Sequence, residues 1–374
     1  MSAEVHKGSP LFPEPPQRHR IHRGLVTERQ EHIFTWVAVV VVLLYATAWI
    51  SAIVNAARAP KKVVTATPQP QAPTRRTAEP SVTSVFVPES VPVANISDSM
   101  LQFLAPLRGE SGALRYAPVL PGEAIIQDGP HGARVITEGE GSIQNLAVEI
   151  NRARRAIEDL SVVQMVPIAR KRNGRIGTYH LGSWPWEQGG TPRSERYAAP
   201  EGFIEVTQQN QNFYVSEHFQ LRDFLTKDQR SVWPKYLLLD PLLIDKLELT
   251  IQELKRQGVR VQDVHVMSGF RTPRYNAGGG NTAGRANLSR HMYGDGADVY
   301  VDNNRDGQPD DITGDGRVTT ADAEKFARAA ERVEQKYRGL VGGIGIYSAC
   351  CGHGPFTHVD VRGARARWRG SGSG

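Results

Sequence analysis

The sequence predicts an α+β fold, in which a small mixed antiparallel sheet is flanked by helices and preceded by a transmembrane helix and a small α+β accessory domain. Three observations predict this arrangement: an uncharged apolar run near the start, a proline-rich stretch after it, and interleaved helix and strand patterns in the second half. With 374 residues, 40% of them hydrophobic, the chain is long enough for one substantial core and a second, smaller one.

The apolar run over 33–54 contains no charged residue. At about 1.5 Å per residue, its length matches a hydrocarbon core of about 30 Å. A cleavable signal peptide is the alternative, but its apolar part is usually about 7–15 residues and the charged segment before it is short. We therefore predict a cytoplasmic tail over 1–32, a single-pass anchor in the cytoplasmic membrane, and a C-terminal part on the periplasmic or extracellular side.

Residues 55–96 are rich in proline and threonine and show neither helical nor strand periodicity, which predicts an extended tether. The formal net charge is +6, but the basic residues are spread out and no nucleic-acid module accompanies them. We therefore expect no nucleic-acid partner, whereas a polyanionic wall or membrane surface fits the charge. The sequence does not identify a protein partner.

The accessory domain is predicted over 97–200. The apolar spacing over 142–160 indicates a helix, and two strand-like runs follow it. Asn173 and Gly174 lie between these runs and favour a tight hairpin turn, because both residue types tolerate positive φ. Nothing in this segment gathers catalytic residue types, and its role stays open.

The second globular region is predicted over 201–374. Its clearest helix covers 242–258, with Asp240 and Pro241 as a good start and Gly258 as a good end. One face of this helix is apolar, formed by Leu243, Leu247, Ile251 and Leu254. Further patterns predict strands over 261–273, 297–302, 341–348 and 356–362 and a helix over 320–337.

His291 and Asp298 lie seven residues apart, the first at the end of a loop rich in glycine and asparagine and the second inside a strand. His358 lies in a strand whose alternation places Phe356, His358 and Asp360 on one face. Two neutral imidazoles and one carboxylate are a ligand set typical of catalytic zinc, which leaves a fourth position for water. The pair His291 and Asp298 alone is a weak signal, since a hydrogen-bonded core histidine is the favoured explanation of such a pair.

The neighbouring motifs strengthen the signal. SGFR over 268–271, S-x-H-x-x-G-x-A-x-D over 289–298 and H-x-D over 358–360 occur in this order. This set closely resembles the zinc D-alanyl-D-alanine carboxypeptidases and murein endopeptidases, whose core is shared with the hedgehog signalling domain. The resemblance covers roughly 201–368 and is to the branch in which the last motif is H-x-D.

The resemblance implies a role for each motif residue. His291, Asp298 and His358 would bind zinc, and Arg271 would polarise the scissile carbonyl and stabilise the oxyanion. A structural ion pair is the alternative for Arg271. Ser289 matches a position that contacts substrate in relatives, or it caps the loop. The implied substrate is peptidoglycan peptide, cleaved next to a D-amino acid by carboxypeptidase or endopeptidase action.

The sequence departs from the family pattern at the general base. Many relatives carry an acidic residue three positions before the last histidine, where this chain has Pro355. His353 and Asp360 are two nearly equal substitutes, and Asp360 could instead orient an imidazole. The missing acid leaves a second hypothesis open, a catalytically inactive, metal-containing module that binds or scaffolds the cell wall.

The adjacent Cys350 and Cys351 offer a softer, competing zinc site together with His353. A pair of buried small residues, or a thiol linked to a partner, is the favoured alternative.

Residues 302–322 form an acidic insert that predicts calcium binding, because its oxygen-bearing residues follow the spacing of an EF-hand or dockerin-like loop. A solvated acidic turn is the alternative, since the twelfth position is aspartate rather than a bidentate glutamate. Bound calcium would pin the strand that carries Asp298. The candidate ligands are Asp302, Asn304, Asp306 and Asp310 in the first loop and Asp311, Thr313, Asp315 and Asp322 in the second.

Overall fold

A computed structural model describes residues 96–371 except 124–128, 130, 131, 151, 152, 281, 283, 284 and 351. These residues belong to one compact unit, Val85–Gly374. The described part is a mixed α/β fold with several sheets.

The predicted transmembrane helix over 33–54 and the tail over 1–32 lie outside the described residues. Within the described part, no helix is both long and apolar enough to cross a membrane. The two longest α-helices there have 16 and 17 residues, fewer than the roughly 20 apolar residues that a span requires. This finding corrects two predictions: that the fold includes a transmembrane helix, and that the protein is located in the cytoplasmic membrane.

The first eight strands are β1 Tyr116–Val119, β2 Arg134–Glu138, β3 Ile143–Ile150, β4 Ala153–Pro167, β5 Arg175–Ile176, β6 Tyr179–His180, β7 Gly202–Val206 and β8 Lys235–Leu237. Six of them form the first sheet, in the order β2-β3-β4-β7-β8, with β1 pairing in parallel with β4. A separate two-stranded hairpin is formed by β5 and β6.

The helix predicted over 142–160 is wrong, because β3 and the first half of β4 occupy this segment and pair antiparallel. Its apolar residues fit both the periodicity of a helix and that of a strand. The contacts that decide between helix and strand come from distant segments of the chain, which local spacing cannot reveal. Alternate residues of β3 are buried in a small core. This core contains Leu104, Leu146, Val148, Ile150, Ile157, Leu160 and Val162.

The turn predicted at Asn173 and Gly174 is confirmed. Both residues have positive φ, 50° and 74°. Arg172 and Arg175 exchange two backbone hydrogen bonds across it, 2.8 and 2.9 Å long. The two-residue loop therefore has the geometry that its residue types favour.

The second sheet has the order β13-β11-β12-β10-β9 and is antiparallel except for the parallel pair β11 and β13. The strands predicted over 297–302, 341–348 and 356–362 are confirmed, the one predicted over 261–273 is shorter, and the strand Ala366–Ser371 was not predicted. The bounds are β9 Val264–Ser268, β10 Gly296–Val301, β11 Gly343–Ser348, β12 Phe356–Asp360 and β13 Ala366–Ser371. The α-helices are α1 Pro241–Arg256, α2 Pro273–Gly278 and α3 Thr320–Lys336. Short 3-10 helices are Asp98–Arg108, Ile168–Arg170, Glu195–Tyr197, Leu221–Phe224, Arg290–Tyr293 and Arg338–Leu340.

Helix α1 begins where the sequence predicts, because the Asp240 side chain accepts a hydrogen bond from the Leu242 amide at 2.9 Å. Its buried Lys246 ties three elements together. The Lys246 ammonium donates to Glu334 Oε1 on α3 at 2.6 Å and to the backbone oxygen of Asp360 on β12 at 2.7 Å. The two long helices are thereby fixed behind the strand that carries His358.

The segments predicted as an accessory domain and as the second globular region share one sheet, since β4 pairs with β7. They also share the main core. Trp184 from the first segment packs against Phe203 and Phe270 from the second, with ring centroids 5.5 and 6.5 Å apart. Residues 97–200 therefore support the elements that carry the metal motifs.

Candidate metal centre

The structure brings His291, Asp298 and His358 together from three elements. Asp298 on β10 lies directly opposite His358 on β12 in the antiparallel pair. The 3-10 helix Arg290–Tyr293, just before β10, supplies His291. All three side chains are buried, so their polar atoms require partners.

The ligand atoms are close to one another. The distance from His358 Nδ1 to Asp298 Oδ1 is 2.8 Å, that from His291 Nε2 to His358 Nδ1 is 3.2 Å, and that from His291 Nε2 to Asp298 Oδ2 is 3.3 Å. Tetrahedral zinc with bonds of about 2.0–2.1 Å places its ligand atoms roughly 3.3 Å apart. The donor set and its spacing therefore fit zinc.

The second nitrogen of each imidazole has an acceptor. His291 Nδ1 donates to the backbone oxygen of Gly269 at 2.7 Å, and His358 Nε2 donates to Asp360 Oδ2 at 3.1 Å. In the neutral imidazoles, these partners fix the tautomer, so that the lone pairs of His291 Nε2 and His358 Nδ1 face the shared point.

The electrostatics of the two histidines differ. Burial, followed by the nearby Arg271, lowers the pKa of His291 to about 4, so this imidazole is neutral at pH 7. Burial also acts to lower the pKa of His358, but its hydrogen bonds to Asp298 and Asp360 outweigh burial and raise the pKa to about 9. The two carboxylates that flank the His358 ring therefore stabilise its protonated form.

Asp360 is fully buried, and both of its carboxylate oxygens are occupied. Besides the His358 ring, it accepts from the Gly343 amide at 2.7 Å, the Arg362 amide at 3.1 Å and Arg362 Nε at 2.9 Å. A carboxylate offers about four lone-pair directions. This saturation favours an orienting role for Asp360 over the role of general base.

Arg271 is buried and contacts a candidate ligand. Its Nη2 donates to Asp298 Oδ2 at 2.8 Å, and its Nε donates to Ser268 Oγ at 2.8 Å. Among the described residues, Nη1 has no hydrogen-bond partner. The ion pair that we considered from the sequence is thus present, and a donor is still left for a ligand.

A cavity of about 270 Å³ opens beside Arg271. His353 also lines it, so the structure places a base candidate and the oxyanion candidate at one cavity. His353 Nδ1 contacts the Gly354 oxygen at 2.8 Å, and the His353 ring lies edge-on to Phe356 with centroids 5.1 Å apart. These contacts hold the imidazole at the wall of the cavity.

Ser289 precedes the 3-10 helix that carries His291, and its hydroxyl makes no capping hydrogen bond. The loop-capping alternative is therefore not observed. The residue is 8% exposed and is not among those that line the cavity, so its substrate contact stays a prediction.

Two supports of His291 were missed from the sequence. Trp184 Nε1 donates to the backbone oxygen of Met292 at 2.7 Å. Arg290 forms a buried ion pair with Asp295, and its guanidinium lies 4.5 and 4.6 Å from the ring centroids of Tyr197 and Tyr293. The local signal in the sequence is the spacing of Arg290 and Asp295, which lie five residues apart. Trp184 and Tyr197 lie in the segment 97–200, for which the sequence predicts no role.

The carboxylates of the acidic insert face their own backbone. The Asp302 carboxylate accepts from the amides of Asp306 and Gly307 at 3.1 and 3.0 Å. Asp322 caps helix α3, because its Oδ2 accepts from the Thr319 amide at 2.8 Å. The other predicted calcium ligands also make contacts within the insert: Asn304 with Asp306, Asp310 with Asn303, Asp311 with Thr313 and Gly314, and Asp315 with Arg317. Calcium binding stays a prediction.

Two other metal-ligand groupings have different explanations. Cys350 is disulfide-bonded and cannot serve as a thiolate ligand, which argues against the competing site. Cys351, the other cysteine of the chain, lies outside the described residues. Glu217, His218 and Glu248 also lie close together. However, His218 Nδ1 bonds to Glu248 at 2.8 Å and Nε2 accepts from Lys255 at 3.0 Å, so both ring nitrogens are occupied.

No family model, curated protein or solved structure matches this chain. The resemblance to the zinc carboxypeptidases and murein endopeptidases therefore depends on the motif residues. What it implies about activity and substrate stays a prediction.

Proposed function

We propose that this chain is a zinc-dependent peptidase that cleaves peptidoglycan stem or cross-link peptides next to a D-amino acid. The observation that carries the proposal is the convergence of His291 Nε2, Asp298 and His358 Nδ1, with each imidazole fixed by a second hydrogen bond. The peptidoglycan substrate and the D-amino acid are supported by the motif resemblance alone.

In this proposal, His291, Asp298 and His358 hold the zinc ion. When bound, zinc supplies Lewis acidity that activates water for attack on an amide carbonyl. Arg271 donates to the carbonyl oxygen and stabilises its developing negative charge, since Nη1 has no partner among the described residues. Its contacts with Asp298 and Ser268 fix the guanidinium in advance.

His353 is the proposed general base. It accepts a proton from the attacking water and passes it to the leaving amine. This assignment is supported by its place at the cavity with Arg271 and by the saturation of Asp360. Asp360 is then a positioning residue that holds the His358 tautomer.

The second candidate function is a catalytically inactive, metal-containing module that binds or scaffolds the cell wall. Pro355 at the position of the usual acid favours it.

The test combines zinc content with turnover of purified muropeptides, followed by mass spectrometry. We expect about one zinc per chain and shortened or uncrosslinked products. Asp298→Ala should lose both zinc and activity, whereas His353→Ala should retain zinc and lose activity by about 100-fold or more. Full zinc occupancy without turnover at several pH values would favour the binding module.

A further inference from the structure

The cavity beside Arg271 is cationic. Three of its lining residues, Lys227, Arg271 and Arg285, carry positive charge, and none of the described residues that line it is acidic. Asp298 neutralises Arg271 in part through their ion pair at 2.8 Å. Among the described residues, Lys227 and Arg285 form no ion pair.

Lys227 has neither an ion pair nor a hydrogen bond among the described residues. Lys227 is an exposed side chain, and the pKa of its ammonium is lowered, first by partial desolvation and then by the nearby Arg271. The same residue also lines a larger neighbouring groove of about 730 Å³. Lys227 therefore lies at the boundary between this groove and the cavity beside Arg271.

Arg285 is held in place by backbone oxygens and an aromatic ring, and no carboxylate of the described residues contacts it. Its Nη1 donates to the backbone oxygens of Tyr275 and Gly279 at 2.9 and 2.7 Å, and its guanidinium lies 4.8 Å from the Tyr275 ring centroid. Its Nε is buried and lacks a hydrogen-bond partner among the described residues. A fixed guanidinium whose charge is not balanced is suited to binding an anion.

We propose that Lys227 and Arg285 form a carboxylate subsite, which binds a free carboxylate on the residue that supplies the amine of the scissile bond. The proposed function identifies the ligand, and the subsite itself is inferred from the two cations. A carboxylate is the anion that a peptide carries next to its last amide bond. Such a subsite makes the chain selective for a peptide end, or for a diamino acid whose second centre carries a free carboxylate.

The direct test measures binding to the full chain with ligands that need not be cleaved. N-acetyl-D-alanine should bind about 10-fold or more tightly than N-acetyl-D-alaninamide, as expected for hydrogen bonds to a charged group. A third ligand, diaminopimelate acetylated on one amine, separates a chain end from a diamino acid as the carboxylate source. Lys227→Met keeps the length of the side chain and should abolish the preference, as should Arg285→Gln.

The charge-matched control is Arg338→Ala, which removes an exposed cation that does not line the cavity. It should leave the preference unchanged. Equal affinity of the wild type for the carboxylate and amide ligands would overturn the subsite. So would a preference that survives both Lys227→Met and Arg285→Gln.

Turnover separates this inference from the proposed function. A carboxylate preference in binding without cleavage of any muropeptide would leave the subsite standing and overturn the peptidase. Cleavage of peptide acids and amides at equal rates, with equal ligand binding, would overturn the subsite and leave the peptidase standing.

Discussion

The candidate metal centre and the acidic insert 302–322 both contain residues that typically bind metals, but their side chains point differently. At the candidate centre, Asp298 Oδ1 and His358 Nδ1 face each other at 2.8 Å, and partners elsewhere in the fold hold the imidazoles. In the insert, Asp302 and Asp322 accept hydrogen bonds from amides of their own loop or helix. Ligand residue types at suitable spacing therefore do not by themselves orient ligand atoms, whereas long-range hydrogen bonds do.

The largest expected effect follows from Asp298→Ala. It removes a ligand and leaves the buried Arg271 without its ion-pair partner, which costs about 3–5 kcal/mol of unfolding free energy. Denaturant unfolding and zinc content measure the two losses. The double variant with Arg271→Met should recover much of the stability but none of the zinc. Wild-type zinc affinity in Asp298→Ala would remove the basis for the proposed centre.

Asp360→Asn tests whether support from outside the ligand set distinguishes the centre. Without the charged acceptor for His358, zinc affinity should fall by about 10- to 100-fold, while binding stays measurable. Competition with a chelator of known affinity measures the change. Asp311→Asn in the insert is the matched control and should leave zinc affinity unchanged.

Calcium binding tests the acidic insert. If the insert binds calcium, a concentration of about ten times the dissociation constant adds about 1.4 kcal/mol of stability and raises the melting temperature by a few degrees. Asp311→Asn should abolish this increase. An unchanged melting temperature at millimolar calcium would mean that the carboxylates only close their own turns.

The smallest effect is expected for Trp184→Phe. This change retains the ring packing but deletes the hydrogen bond to the Met292 oxygen, at a cost of about 1 kcal/mol or somewhat more for the buried acceptor. Zinc affinity should fall slightly, because Met292 adjoins His291 in the same 3-10 helix. A loss of stability with unchanged zinc affinity would limit Trp184 to a packing role.

Local signals predicted what local contacts determine. Helix α1 was predicted because Asp240 and Pro241 act within one turn of it, and the turn at Asn173 and Gly174 because its residue types tolerate positive φ. Strands β3 and β4 were missed because their pairing partners lie far away in the sequence.

The candidate site shows the same difference between local signals and long-range contacts. The motifs predicted His291, Asp298 and His358 as ligands. They could not predict the Gly269 acceptor, because every residue has a backbone oxygen and none carries a sequence signal for it. They also could not predict the Gly343 amide as a donor to Asp360, because the two residues lie on different strands.

The antiparallel register that places Asp298 opposite His358 has one further consequence. Successive residues of a strand point to opposite faces, so a slip of β12 by one residue would bring Thr357 or Val359 opposite Asp298. Neither residue supplies the imidazole or carboxylate that zinc takes as a ligand. The free energy of metal binding would therefore stabilise one strand register alone, and a bound ion would select the correct pairing from its misaligned competitors during folding.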